Sequence, residues 1–307
     1  MHKIAAKVAK RLQKESSRSV VSLEAFKQGR QAAQDALATI QHPETLVKQG
    51  YEPVHAAYVH AQNLLSVILE GLLQLPELDR FTEILGSAED IYMPGGPPRS
   101  PVTTSFFTAW SSFDVAIGLQ KETLTSITLD LKHQLKLGPN IVTLLEHFHH
   151  SRMGIYEHVG LDQEHIRLRD LLTQETYRVF NPTGYLGHQG ELWYARLLPN
   201  LQAPTDGRIG FTTPYVLTSG LDEWRAFFRR GVCRMQNKAI SDERLMKYGL
   251  TPNYWLEYIF QAYWGIEPQG TAIFLKGVPD LGGTRPHFDP HATSRLPEAV
   301  LVPTQGK

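Results

Sequence analysis

Thirteen histidines are the main chemical resource of this 307-residue chain, and two groups of them have ligand-like spacing. Glu146, His147, His149 and His150 fall in one run of helical periodicity. Glu146 and His149 stand at the i, i+3 spacing that di-iron carboxylate bundles use, and Glu52 and His55 repeat it near another helix start. Such a site needs further carboxylates on facing helices, and no other segment singles them out. Helical geometry also turns His147 and His150 away from His149, so the three cannot ligate one ion together. The alternative is a set of helix-end imidazoles that favour the C-terminal dipole. The second group, His287-Phe-Asp289-Pro-His291, places two imidazoles and a carboxylate at alternate positions. In an extended chain these point one way, a donor set suited to zinc or iron. Pro286 and Pro290 argue against the ordered outer shell that affinity requires. These two groups are the candidate metal ligands, and no cofactor is otherwise expected.

Nucleophiles and phosphate loops are weaker. Cys233, the single cysteine, lies near Arg230 and Arg234, which would lower its thiol pKa, but it has no assigned histidine partner. Gly277 to Thr284 has the glycine and hydroxyl spacing of a phosphate loop, yet Gly283 stands where the lysine must reach the phosphates. HExxH, paired CxxC, GxSxG and GxGxxG are absent. No catalytic residue is therefore assigned. The expectation is a non-enzymatic interaction or adaptor module with a protein partner. Its rivals are a metal-dependent enzyme using the histidine clusters and a weak nucleic-acid-binding protein.

The nucleic-acid alternative rests on Arg152–Leu217, where the pattern changes from helical to stranded. Five alternating runs, RMGIYEHV, EHIRLRD, ETYRVF, ELWYARLL and RIGFTTPYVL, are separated by turn residues. Period-two alternation implies one buried face and one wet face. Tyr156, His158, Arg167, Arg169, Arg178, Tyr194 and Arg196 are assigned to the wet face, where arginines and aromatic rings together suit single-stranded nucleic acid. Of these, Tyr156, Arg167, Arg169, Arg178 and Tyr194 form the candidate binding face. Glu157, Glu164, Asp170, Glu175 and Glu191 interleave, so the net potential is small.

These residues need a scaffold, and the pattern predicts an α+β fold. It comprises a helical N-terminal region (1–92), a Pro/Gly linker (93–101), a helical segment (102–151) and a small five-stranded SH3-like or OB-like barrel (152–218). A helical cap with one strand (219–280) and a loosely ordered tail (281–307) complete it. Helices are expected over 22–41, from Pro53 through the following apolar run, from Pro76 to Gly86, and over 122–137 and 139–150. Beyond the barrel they are expected over LDEWRAFFRRG, over 241–249, and from Thr251 to Gly265. The last carries six aromatics between Tyr254 and Trp264 and must bury a broad face. The linker holds two PxxP spacings, Pro94/Pro97 and Pro98/Pro101, and is read as a connector before an SH3-type ligand.

Composition sets the outer bounds. Hydrophobic residues at 42% and charged residues at 20% describe an ordinary globular protein. One cysteine excludes an internal disulfide framework and fits a reducing, cytoplasmic compartment. No apolar run approaches the roughly 20 residues needed to span a bilayer. Net charge is zero, but residues 1–30 hold eight Lys/Arg against Glu15 and Glu24. Their first turns set Ile4, Val8 and Leu12 opposite Lys3, Lys7, Lys10 and Lys14. Such a helix suits an anionic membrane, nucleic acid or a transit peptide, or else a solvated helix packed through its apolar stripe.

The blocks SPVTTSFFTAWSSFDVAIG, SRMGIYEHVG, IRLRDLLT, GYLGHQGELWYARLLP and FTTPYVLT resemble a family of uncharacterised bacterial proteins that share them. The likeness covers roughly residues 90–230 and continues more weakly through YWLEYIFQAY and FLKGVPD. It implies a bacterial source and a discrete fold, and no reaction. A looser similarity joins the IRLRDLLT…YRV block to β-modules of some proteins that carry a SEC-C zinc motif. The cysteines of that motif are missing here, so its metal-binding role does not carry over.

Overall fold

A computed structural model describes residues 3–17, 40–92, 101–163, 165–202, 205–230, 241–263 and 272–279. Helices α1 (Lys3–Ser17), α2 (Pro43–Lys48), α3 (Pro53–Leu72), α4 (Asp79–Tyr92) and α5 (Pro101–Ala109) come first, α5 running on into a π-helical turn, Trp110–Asp114. A short hairpin, β1 (Ala116–Ile117) and β2 (Glu122–Thr123), leads to α6 (Leu124–Asp130) and α7 (Pro139–His150). Strands β3 (Met153–Asp162), β4 (His165–Asp170), β5 (Thr176–Phe180), β6 (Leu192–Pro199), β7 (Gly207–Gly210) and β8 (Tyr215–Leu217) follow. Helices α8 (Leu221–Arg229), α9 (Asp242–Tyr248) and α10 (Tyr254–Tyr263) and strand β9 (Ile273–Leu275) complete the described chain. The described residues form two compact units: those up to Leu85 with those of Val115–His150, and those of Gly86–Asp114 with those from Ser151 onward.

The first unit is helical, and its helices start where side chains satisfy free backbone amides. Glu52 caps α3 by accepting from His55 N at 2.7 Å, with Pro53 preset in the first turn. Val54, Ala56, Tyr58, Ala61, Leu65, Leu69 and Leu72 then bury one long face of α3. Thr123 and Ser126 form a reciprocal capping box that opens α6. Two expectations need correction. The helix expected over 122–137 ends at Asp130, because residues 131–136 tighten into turns and Lys136 takes a φ of 52°. Pro76 opens a 3-10 turn, and α4 passes through Gly86 to Tyr92, since an isolated glycine only weakens a helix. Residues 101–109 are helical, within the segment 102–151 read as helical from the sequence. The helix expected over 22–41 falls almost wholly outside the described residues, and both PxxP spacings involve residues outside them.

The second unit is built on a closed, mixed five-stranded barrel. β3 is long enough to serve two neighbours, pairing with β6 through Met153–Glu157 and with β4 through Tyr156–Asp162. A bulge between His158 and Gly160, the glycine at φ 140°, bends it from one partner to the other. β4 pairs antiparallel with β5, β5 parallel with β7, and β7 antiparallel with β6, which closes the ring on β3. Numbering these strands one to five, the path is 1-2-3-5-4-1 with strands three and five parallel. That is the path of an OB-like barrel. The fifth predicted run splits at Pro214: Gly207–Gly210 stays in the barrel, and Tyr215–Leu217 adds outside it on β6, followed in parallel by β9.

Register partners share a face, so the barrel interior can be read from the pairing. Tyr156, Ile166, Leu168, Val179, Trp193 and Leu197 fill it. The other face of β6 is covered as well: Tyr194 meets Phe106 of α5 and Trp255 and Tyr258 of α10, with ring centroids 5.5–6.3 Å apart. The aromatic helix α10 is thus a core helix, with Tyr254, Trp255, Leu256, Tyr258 and Ile259 all buried.

Candidate binding face

Strands β4 and β5 keep one face open, and that face carries the predicted arginines. Arg167 and Arg178 are register partners across the two strands. Arg169 donates to Glu157 of β3 at 2.7 Å. Arg178 Nε approaches Asp162 Oδ2 at 3.2 Å, an ion pair whose angle does not make a hydrogen bond. Arg167 is exposed and makes no ion pair among the described residues. On the opposite, core-side face, where Tyr177 is the partner of Leu168 and Arg208 of Val179, Arg208 lies 4.4 Å over the Tyr177 ring and donates to the carbonyls of Thr205 and Gly207 at 2.7 and 2.9 Å. Burial and a hydrogen bond to Glu175 raise the Tyr177 hydroxyl above its ordinary value, so it stays neutral.

The other residues assigned to a wet face are not on one. Tyr156, His158, Tyr194 and Arg196 are buried, Tyr194 and Arg196 completely. The physical reason is that β6 and the first half of β3 are covered on both sides. One side faces the barrel interior, the other the helices. The alternation rule therefore holds for β4 and β5 and fails for β6, where seven consecutive residues from Leu192 are buried.

Arg196 shows how the fold keeps a cation inside. Its Nη2 pairs with Asp114 Oδ2 on the π-helical turn, and its Nη1 donates to Ser151 Oγ at 2.7 Å. The guanidinium lies 5.3 Å over the Phe113 ring. Lys247 of α9 approaches Asp114 Oδ1 at 3.5 Å and donates to Ser151 O at 2.5 Å. Arg152 extends the network to Asp170 at 2.8 Å and to both carboxylate oxygens of Glu243. Three cations face three carboxylates, so the network balances its own charge and calls for no charged ligand. It ties the π turn and α9 to the barrel. Sequence reasoning placed Arg196 on the surface and missed Asp114, Lys247 and Glu243. The usable signal was a lone arginine inside the otherwise apolar run LWYARLL, because an arginine among buried residues requires a buried partner.

Burial lowers Lys247 to about 8, with Asp114 opposing the shift and Arg196 adding to it. The sign of the consequence follows by linkage. Between about pH 8 and the ordinary lysine value of 10.5 the unfolded chain holds a proton that the folded chain has released. Stability therefore rises with pH across that window, and below it the folded state carries the full cost of the buried cation. Thermal melts of wild type and Lys247→Met should diverge accordingly: the variant's advantage at neutral pH shrinks toward pH 10. A constant difference would contradict the assignment.

The predicted metal ligands on α7 have separate partners. His150 Nδ1 bonds to the Glu146 carbonyl at 2.7 Å, His147 Nδ1 bonds to Tyr58 Oη at 2.8 Å, and His149 packs edge-on against the His150 ring. Glu52 is occupied as a helix cap, and burial lowers the His55 imidazole, with Glu52 partly offsetting it. Among the described residues no three His, Cys, Asp or Glu side chains are grouped to hold a metal. His287, Asp289, His291 and Cys233 lie outside the described residues. Among the described residues no helix is long and apolar enough to cross a membrane. No family model, curated protein or solved structure matches this chain.

Proposed function

We propose that the protein is a non-enzymatic binding module that holds an acidic segment of a partner protein on the solvent face of β4 and β5. The observation that carries this reading is the placement of Arg167 directly opposite Arg178. Like charges at opposed positions destabilise a sheet. A carboxylate-bearing segment laid across both removes that repulsion and matches the planar fork of each guanidinium. OB-type barrels hold oligonucleotides and oligosaccharides on the corresponding face. Here Glu157 and Asp162 already engage Arg169 and Arg178, which keeps the local field weak. A weak, mixed field favours a short carboxylate-bearing protein segment over an extended nucleic-acid polyanion. The single cysteine and the resemblance of its sequence blocks to those of bacterial proteins support a bacterial cytoplasm, and no metal or cofactor enters the reading.

Fluorescence anisotropy with a labelled Asp/Glu-rich peptide tests it. Wild type should bind, and Arg167→Glu/Arg178→Glu should weaken binding by about tenfold or more, two contacts becoming two repulsions. Equal affinity for the two proteins would overturn the reading. Tighter binding of a single-stranded oligonucleotide, lost in the same variant, would replace the acidic segment with nucleic acid.

A further inference from the structure

The first unit carries a second charged surface that the barrel reading does not use. Helix α1 is docked through Ala5, Val8 and Ala9, which are at most 3% exposed. Its first amides are held by Glu122, whose Oε1 accepts from Ile4 N at 2.8 Å and Ala5 N at 3.2 Å. The apolar face is therefore largely used inside the unit, and with Ile4 and Leu12 partly buried it has little left to insert into a bilayer. Arg11 is engaged as well, donating to both carboxylate oxygens of Glu77 at 2.8 and 2.7 Å.

Lys3, Lys7 and Lys10 are exposed on the opposite side, and Lys14, exposed but with a contact of its own, continues the row. At about 100° per residue their positions fall within a narrow stripe, and at about 1.5 Å per residue the row is roughly 16 Å long. No acidic residue occurs between Lys3 and Lys14. Glu77, which Arg11 engages, also lies within electrostatic reach of Lys7, but within the helix itself the lysines are not interleaved with acids. A straight row of ammonium groups with little apolar surface to insert complements a linear polyanion. A membrane-surface helix would need that apolar face free. We propose that the lysine row of α1 binds the phosphate backbone of a nucleic-acid duplex, independently of the barrel face and without base recognition.

The test is anisotropy of a fluorescein-labelled mixed-sequence DNA duplex with the full chain over a salt series. Counting only Lys3, Lys7 and Lys10, the slope of log K against log salt should be about −2.7, and affinity should fall about 40-fold between about 50 and 200 mM salt. Lys7→Glu/Lys10→Glu should lose about tenfold or more at low salt, whereas Arg167→Glu/Arg178→Glu should keep wild-type affinity. Circular dichroism melts check the lysine variant, and Lys7→Gln/Lys10→Gln replaces it if the reversal unfolds the unit. Undetectable duplex binding would overturn the proposal, as would unchanged affinity in the folded lysine variants. Retention on phosphatidylserine-containing vesicles without duplex binding would overturn it in favour of a membrane surface. Duplex binding lost only in the arginine variant would likewise count against α1 and bear on the barrel instead.

Discussion

Asp114→Asn is expected to cost about 3–5 kcal/mol of stability, the usual result of removing one partner from a buried charge pair. Asp114 is 5% exposed and is the shared counter-ion of Arg196, which is fully buried, and Lys247. Asparagine keeps the volume and one carbonyl oxygen but leaves two desolvated cations facing each other across Ser151. The damage comes from the stranded charges and not from a lost bond alone. Two controls separate these. Lys247→Met removes a cation that burial already disfavours and should be neutral or slightly stabilising, since Arg196 and Asp114 still match. Replacing both members of that pair, Asp114→Leu with Arg196→Met, should cost far less than Asp114→Asn. Urea unfolding followed by tryptophan fluorescence measures all three. A loss below about 1 kcal/mol for Asp114→Asn would mean that the cluster is hydrated and carries little of the fold.

Trp193→Ala should be comparably severe, about 3–5 kcal/mol, because it empties the centre of the barrel. Trp193 is 2% exposed, with Tyr156 of β3 and Val216 of β8 as its register partners. Its ring centroid lies 5.4 Å from Tyr185 and 6.1 Å from His158, and its Nε1 donates to Glu191 at 2.9 Å. A closed barrel cannot collapse onto the void without breaking a ladder, so little of the lost packing is recovered. Trp193→Phe keeps most of the volume and loses the indole hydrogen bond, and should cost about 1–2 kcal/mol. If alanine proved as mild as phenylalanine, β6 would not be the wall of a packed barrel.

These two residues also show what the sequence could and could not convey. The strands β3 to β7 were legible because alternation and turn residues are local signals, and β4 and β5 obey them: Ile166, Leu168 and Val179 point inward and Arg167 is exposed. That is why Arg167, Arg169 and Arg178 could be picked out together. Tyr156 and Tyr194 were misplaced because periodicity reports that two faces differ but not that both are covered. Two-sided burial depends on α5 and α10, which are distant in sequence. Asp114 was illegible for the same reason, since it lies 82 positions from the arginine it neutralises and no local pattern links them. The histidine spacings were legible but ambiguous. An i, i+3 Glu/His pair serves equally as a ligand pair and as a helix cap, and Glu52 with His55 is the latter.

Docking of a partner on the open face of β4 and β5 can be observed directly. The most direct measurement is a nuclear magnetic resonance titration of isotope-labelled protein with an acidic peptide. The account predicts chemical-shift changes concentrated on Arg167, Arg169, Arg178 and their strand neighbours, small changes along the doubly covered β6, and their loss in Arg167→Glu/Arg178→Glu. Saturable shifts elsewhere on the molecule, with β4 and β5 unmoved, would contradict it.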